Sequence, residues 1–161
     1  PPNADTDSAN VTYTPAAGFS GADSFTYRAS DGTATSPPAT VSITVGEPIL
    51  VHVGDLDGAK TVGLNHWTAR VTIFVHGVGE VPASGVTVSG TWSNGTTGSG
   101  TCKTAATTGL CYMTRTGIPN ATSSATFTVT NLTLPSGLYM LALNHDPDAD
   151  SSGTVIVVQR K

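Results

Sequence analysis

The stretch SFTYRASDGTATSPPATVSITV, residues 24–45, decides the fold class of this chain. SFTYRAS and TVSITV each place apolar side chains at every second position, and a turn-forming segment separates them. A period of two is the pattern of a β-strand with one buried face. The preceding VTYT, residues 11–14, alternates in the same way. We therefore expect β-strands throughout this region.

The composition extends this expectation to the whole chain of 161 residues. Charged residues make up 11% and aromatic residues 6%, whereas glycine, serine, threonine and valine are abundant. Threonine and valine are β-branched and favour pleated sheets, while glycine and proline mark turns. No window of about ten residues shows the 3.6-residue apolar period of a helix. The chain is therefore predicted to be all-β.

Short apolar segments separated by glycine, proline and asparagine turns continue after residue 48. Eight strands are predicted, at 49–53, 67–76, 85–92, 99–103, 111–115, 125–131, 138–143 and 154–160. Strands of this length and spacing are typical of an antiparallel immunoglobulin-like β-sandwich. The segment GEP, Gly46 to Pro48, is the expected boundary, so the predicted domains are 1–46 and 47–161.

Residues 11–45 resemble the second half of a bacterial cadherin-like tandem repeat. The matching positions are Tyr13, Pro15, Gly18, Phe19, Gly21, Asp23, Phe25, Tyr27, Asp31 and Gly32. The resemblance implies an extracellular protein with calcium-dependent adhesion or contact with glycans. The first half of that repeat, which normally carries an acidic calcium-binding segment, is not in this sequence.

The second part of the chain resembles bacterial immunoglobulin-like accessory modules of secreted enzymes and adhesins. The likeness rests on EVPASGVTVSGTWSNG, residues 80–95, in which a turn with proline precedes a strand ending near a tryptophan. VHVGDLDG followed by NHDPDADSSGT strengthens it. The resemblance implies a module that works beside neighbouring domains of a larger secreted or cell-surface chain.

The charge pattern argues against nucleic acid as a partner. The formal net charge is −4 and the isoelectric point is near 5.3, with seven scattered lysine and arginine residues. A surface that binds a polyanion needs a basic patch. No apolar run has the length of a membrane span, and no signal peptide is recognisable, so we expect such a signal upstream or already removed.

Cys102 and Cys111 are the two cysteines, and TTG lies between them. This spacing predicts neighbouring strands joined by a turn and linked by a disulfide. The alternative is a pair of free thiols in a cytosolic protein. Low lysine and glutamate content favours the oxidised, extracellular case.

Two acidic segments predict a calcium site. Asp146, Asp148 and Asp150 alternate in the way that calcium-binding loops do, and Asp55 and Asp57 form a second pair. The match to an EF-hand fails, because Ser151 stands where that motif requires glycine.

If each of eight strands reverses direction, both acidic segments lie in connections at the same end of the sandwich. A count of seven strands would remove this shared site. The alternative to calcium is a solvated acidic turn.

The same alternation of strand direction places Trp67 and Trp92 at the end of the sandwich that carries the acidic segments. Exposed indoles there would stack on sugar rings. The polar partners for sugar hydroxyls are predicted to be His66, Asn94, Asn144 and His145. The alternative is that the tryptophans belong to the core.

Other residues suggest little chemistry. We interpret His52 and His76, which lie within strands, as satisfied structural histidines. No nucleophile elbow, zinc helix or phosphate loop is present, so we do not expect an enzyme. The leading hypothesis is a calcium-stabilised module that binds polysaccharide. The alternatives are a structural spacer and a protein-adhesion module.

Overall fold

The structure is a computed structural model that describes residues 10–16 and 18–161. The chain divides into two compact units, Pro1–Pro48 and Ile49–Lys161. Compactness alone does not show that either unit folds by itself, so the predicted domains, 1–46 and 47–161, stay predictions. Strands and loops make up nearly all of the described residues, which confirms the all-β prediction.

The first unit contains a two-stranded antiparallel sheet, β1 (Gly21–Tyr27) and β2 (Ala39–Val45). Both strands coincide with the alternating segments of the sequence. The Tyr13 hydroxyl donates a hydrogen bond of 2.7 Å to Asp23 Oδ2 on β1. Residues 11–14 are not a strand, contrary to prediction, because a strand needs a paired backbone and the described part of the chain offers this segment no partner.

The second unit is a sandwich of two four-stranded sheets. Its strands are β3 (Ile49–Val62), β4 (His66–Gly77), β5 (Thr87–Ser93), β6 (Gly98–Lys103), β7 (Leu110–Pro119), β8 (Ser124–Thr133), β9 (Gly137–Tyr139) and β10 (Val155–Gln159). One sheet has the order β10-β8-β5-β6 and the other the order β7-β4-β3-β9. Paired strands are antiparallel except β3 and β9, which run parallel. The predicted immunoglobulin-like sandwich class is confirmed.

The chain leaves β9 through a single turn of 3-10 helix, Leu141–Leu143. The strand predicted at 138–143 therefore ends after Tyr139. Among the described residues, no helix has both the length and the apolar character needed to cross a membrane.

A β-bulge at Gly54 interrupts β3. Val53 pairs with Val75 of β4, whereas Asp55 pairs with Phe74, so Gly54 is an extra residue. Because side chains alternate along a strand, one extra residue exchanges the two faces. The core side chains of β3 accordingly are Val51 and Val53 before the bulge and Leu56 after it.

The bulge turns His52, Asp55 and Asp57 to the same outer face of the sheet. The two aspartates were expected in a connection after a short strand at 49–53. That placement was wrong, because β3 continues through them to Val62. Their approach to the second acidic segment therefore has a different cause from the one predicted.

Both tryptophans lie in the core between the sheets. Trp67 is 1% exposed and Trp92 is 6% exposed. Trp67 shares one face of β4 with Val71 and Ile73, which are fully buried. Trp92 packs on Phe127, with ring centroids 5.0 Å apart. The predicted platform of exposed indoles is therefore wrong, and the core alternative describes both residues.

Cys102 and Cys111 form the predicted disulfide. Cys102 lies on β6 and Cys111 on β7, which are edge strands of different sheets. The two strands are joined by a turn, as predicted, and the chain crosses from one sheet to the other in that turn, at 104–109. The bond consequently ties the two sheets together along one side of the sandwich.

Candidate functional site

Five aspartates form an acidic cluster on and beside the outer face of β3: Asp55, Asp57, Asp146, Asp148 and Asp150. In one group, Asp55, Asp146 and Asp148 each offer a carboxylate oxygen within 4.8 Å of the others. Asp57, Asp148 and Asp150 form a second such group. Asp148 therefore belongs to both groups. The acidic segments lie together, and the binding of calcium to them stays a prediction.

The segment that carries three of these aspartates returns to the edge of β3 after the 3-10 turn. Asn144 Oδ1 accepts a hydrogen bond of 2.9 Å from the Val53 amide, and the His145 amide donates one of 3.1 Å to the Val53 carbonyl. Asn144 Nδ2 donates to the Tyr139 hydroxyl at 2.7 Å and to Thr154 Oγ1 at 3.0 Å. These bonds occupy the Asn144 amide, so it positions the loop and does not serve as the predicted sugar partner.

Asp146 stabilises the curved backbone of the acidic loop, residues 146–150. Its Oδ1 accepts hydrogen bonds of 3.2 Å and 3.1 Å from the amides of Asp148 and Ala149, and its Oδ2 accepts one from the Ser151 amide. Burial acts to raise the pKa of Asp146, but the hydrogen bonds from Ser151 and Asp148 outweigh it and lower the pKa to about 2. Asp146 is therefore ionised at neutral pH.

Two other aspartates show the electrostatic cost of this crowding. Burial, followed by the charge of Asp57, raises the pKa of Asp55. Burial, followed by the charges of Asp148 and Asp146, raises the pKa of Asp150. Like charges in one place disfavour ionisation unless a cation neutralises them. The cluster therefore favours a bound cation.

The remaining residues predicted to bind sugar do not form a group. His66 is exposed at the start of β4. Asn94 Nδ2 donates a hydrogen bond of 3.3 Å to Thr126 Oγ1. His145 belongs to a separate cluster of histidines. Since both tryptophans are in the core, the predicted sugar-binding set is not assembled.

An open cleft of about 380 Å³ lies between β3 and β10. Lys60, Asp150 and Lys161 supply its charged groups. No aromatic residue of the described chain lines it, so it lacks the flat apolar surface on which sugar rings stack.

A second group of ionisable side chains, the histidine cluster, consists of His52, His76, Glu80 and His145. Each offers one ligand atom within 4.8 Å of the others. The interpretation of His52 as a satisfied structural histidine was wrong, because its buried Nε2 makes no hydrogen bond in the part of the chain that the structure describes. The available signal was a histidine on each strand of one hairpin, but pairing the two requires knowledge of the bulge.

Residues 2–44 match the family model of the bacterial Ig domain. The match supports a bacterial immunoglobulin-like module in the first part of the chain, of which residues 2–9 and 17 lie outside the described ones. The predicted cadherin-like repeat stays a prediction. No curated protein and no solved structure matches the chain.

Proposed function

We propose that this chain is a non-catalytic, calcium-stabilised spacer of a larger secreted or cell-surface bacterial protein. The observation that carries the proposal is the convergence of carboxylates from β3 and the 146–150 loop on two groups that share Asp148. The bacterial Ig domain match and the disulfide favour a module that stands beside neighbouring domains outside the cell.

The donor chemistry of the acidic cluster suits calcium. This ion takes six to eight oxygen ligands and tolerates irregular geometry, and carboxylates, carbonyls and waters all serve. Asp55 and Asp57 belong to strand β3, whereas Asp148 belongs to the loop. An ion bound among them would fasten the loop to β3 and relieve the mutual repulsion of the charges.

Calcium titration of the chelator-treated protein tests the proposal. Thermal unfolding followed by circular dichroism should shift to higher temperature as calcium is added, because a ligand that binds only the folded state stabilises it. That gain is about 2.7 kcal/mol at a hundred times the dissociation constant. Magnesium should have a smaller effect, because it requires octahedral geometry.

The decisive variant is Asp148→Asn, which removes a charge from both groups and should abolish most of the calcium-induced shift. Asp150→Asn should raise stability in chelator, because it relieves repulsion, and should also weaken the response to calcium. Glu47→Gln is the matched control, since Glu47 lies outside the acidic cluster. Equal calcium responses in Asp148→Asn and the unmodified protein would refute the proposal.

Polysaccharide binding has less support, because the indoles that would stack on sugar rings are buried. Affinity gel electrophoresis with neutral and anionic polysaccharides, run with calcium and again with chelator, separates the two functions. A spacer should migrate at the same rate in gels with and without polysaccharide. Retardation by one polymer that disappears in chelator would favour a carbohydrate-binding module instead.

A further inference from the structure

The histidine cluster uses three of the four histidines in the sequence and does not include any residue of the acidic cluster. The Glu80 carboxylate lies at its centre. Glu80 Oε2 is 2.6 Å from His76 Nδ1, 3.3 Å from His145 Nε2 and 3.5 Å from His52 Nε2. Three ring nitrogens from three separate segments of the chain thus surround one oxygen.

Two of the ligands come from paired strands. His52 on β3 lies directly opposite His76 on β4, so both side chains leave the same face of the sheet. The bulge residue Gly54 provides space for the second ring, because a Cβ at this position would overlap the His76 imidazole. Bulges occur preferentially next to functional sites, where they redirect side chains.

His145 is oriented by its own loop. Its amide is bonded to the Val53 carbonyl, and its Nδ1 lies 3.2 Å from the Leu143 carbonyl. A carbonyl only accepts hydrogen bonds, so it pairs with a proton on Nδ1 and leaves Nε2, which lies 3.3 Å from Glu80 Oε2, as the nitrogen available to a metal. A backbone carbonyl that fixes the tautomer in this way is the usual outer partner of a metal-binding histidine.

His52 gives an independent indication of a missing ligand. It is 4% exposed, and its Nε2 has no hydrogen-bond partner among the described residues, because the 3.5 Å separation from Glu80 Oε2 is longer than a normal N–H···O bond. A buried polar atom without a partner costs about 1–3 kcal/mol.

The geometry points to a zinc-binding site at the histidine cluster, with three imidazole nitrogens and the Glu80 carboxylate as ligands. Zinc in proteins is held by nitrogen, sulfur and carboxylate ligands, usually four of them in a tetrahedron. Imidazole is a ligand of zinc and related transition metals, whereas calcium selects oxygen. Both cysteines are in the disulfide, so no thiolate competes for the ion.

The observed spacing requires little rearrangement for zinc to bind. Tetrahedral ligands about 2 Å from zinc lie about 3.3 Å from one another, and two of the three nitrogen–oxygen distances are 3.3 Å and 3.5 Å. The short bond between His76 and Glu80 must open to admit the ion. The Glu80 side chain is 58% exposed and that of His145 is 38% exposed, which leaves a route from solvent.

Isothermal titration of the chelator-treated full chain with zinc chloride tests this inference. The titration is run in saturating calcium, so that its result does not depend on the proposed acidic site. We expect about one zinc ion per chain. Long-range proton–nitrogen NMR spectra should show shifts of the ring nitrogens of His52, His76 and His145 and no shift for His66.

Two variants avoid the buried core of the site. His145→Ala should weaken zinc binding at least about 100-fold, because losing even an outer partner of a ligand costs 10- to 100-fold. Glu80→Gln should weaken it less. His66→Ala is the matched control and should bind zinc as the unmodified chain does.

Three outcomes would overturn the inference: no zinc uptake by a folded protein, uptake without shifts of the three ring signals, or equal weakening by His145→Ala and His66→Ala. Asp148→Asn should leave zinc binding intact. Failure of the calcium response and failure of zinc binding are therefore separate results.

Discussion

His52 and His76 face each other across β3 and β4, with ring centroids 5.8 Å apart and ring planes at 79°. They do so only because Gly54 is an extra residue in β3. If the pairing of Asp55 with Phe74 continued without the bulge, His76 would lie opposite Val53. The position of one glycine thus decides whether the two imidazoles meet.

Replacing Gly54 with alanine should displace the His76 ring, because the added Cβ has no room beside it. We expect a loss of about 1–3 kcal/mol in the free energy of unfolding, as for overpacking elsewhere. Urea denaturation measures it. Gly100→Ala is the matched control, since its Cβ would lie 3.6 Å from Met113 Sδ, an ordinary contact. Equal stabilities of the two variants would contradict the prediction.

Thr104 is a buried hydroxyl with two bonds. Its Oγ1 accepts a hydrogen bond of 3.0 Å from the Val86 amide and donates one of 2.7 Å to the Ala83 carbonyl. Thr104→Val keeps the shape but leaves these groups without their partner, so we expect a loss of about 1–3 kcal/mol. Thr104→Ser retains the hydroxyl and should lose much less. Similar urea midpoints for the two variants would show that the hydroxyl does not matter.

The Cys102–Cys111 disulfide closes a short loop, with a sequence separation of 9. Replacing both cysteines with alanine should lower the free energy of unfolding by about 2–3 kcal/mol, as chain entropy predicts for a loop of this size. Reduction of the unmodified protein should give a change of similar size. A double variant as stable as the oxidised protein would contradict this role.

Because Trp67 and Trp92 are buried, acrylamide should quench the fluorescence of the folded protein several-fold less efficiently than that of the urea-unfolded chain. Tyr112→Trp supplies a positive control, since Tyr112 is 49% exposed on β7. Its added indole should be readily quenched. Equal quenching of the folded and the urea-unfolded protein would indicate exposed tryptophans. That result would support the hypothesis that they stack on sugar rings.

Asp31 provides a prediction about pH. Hydrogen bonds from the amides of Ala34 and Thr33, of 2.7 Å and 2.9 Å, lower its pKa. A pKa that is lower in the folded than in the unfolded state favours folding above the unfolded value. That contribution is lost as the pH falls through the folded value.

Carbon-13 NMR should therefore show the Asp31 carboxyl titrating below the range of an unperturbed aspartate. Asp31→Asn keeps an oxygen acceptor and should remove this pH dependence. A titration midpoint in the ordinary range would refute the prediction.

Much of the fold follows from local patterns in the sequence. The alternating segment at 40–45 and the run at 154–160 both became strands, because period-two alternation and β-branched residues report directly on a pleated, half-buried surface. The same alternation contained the answer for Trp67, whose neighbours two and four positions on are also apolar. The prediction for Trp67 relied instead on its position at the end of the strand.

The sites were less predictable, because each depends on pairings between distant segments. The aspartates were recognised by their spacing, yet their meeting depends on the bonds from Asn144 and His145 to Val53. The residues of the histidine cluster are scattered in the sequence and form no recognisable motif. Its assembly depends on one bulge and one turn, and neither has a period that a sequence reveals.

The bulge at Gly54 also constrains how this strand can change during evolution. Any single insertion or deletion between His52 and Asp55 would move the histidine and the aspartates to opposite sides of the sheet. Length variation among descendants of this sequence should therefore concentrate in connections such as 104–109 and be absent from this short part of β3. A point substitution in this part of β3 would damage only one of the two clusters. A one-residue shift of the strand register would separate the residues of both clusters at once.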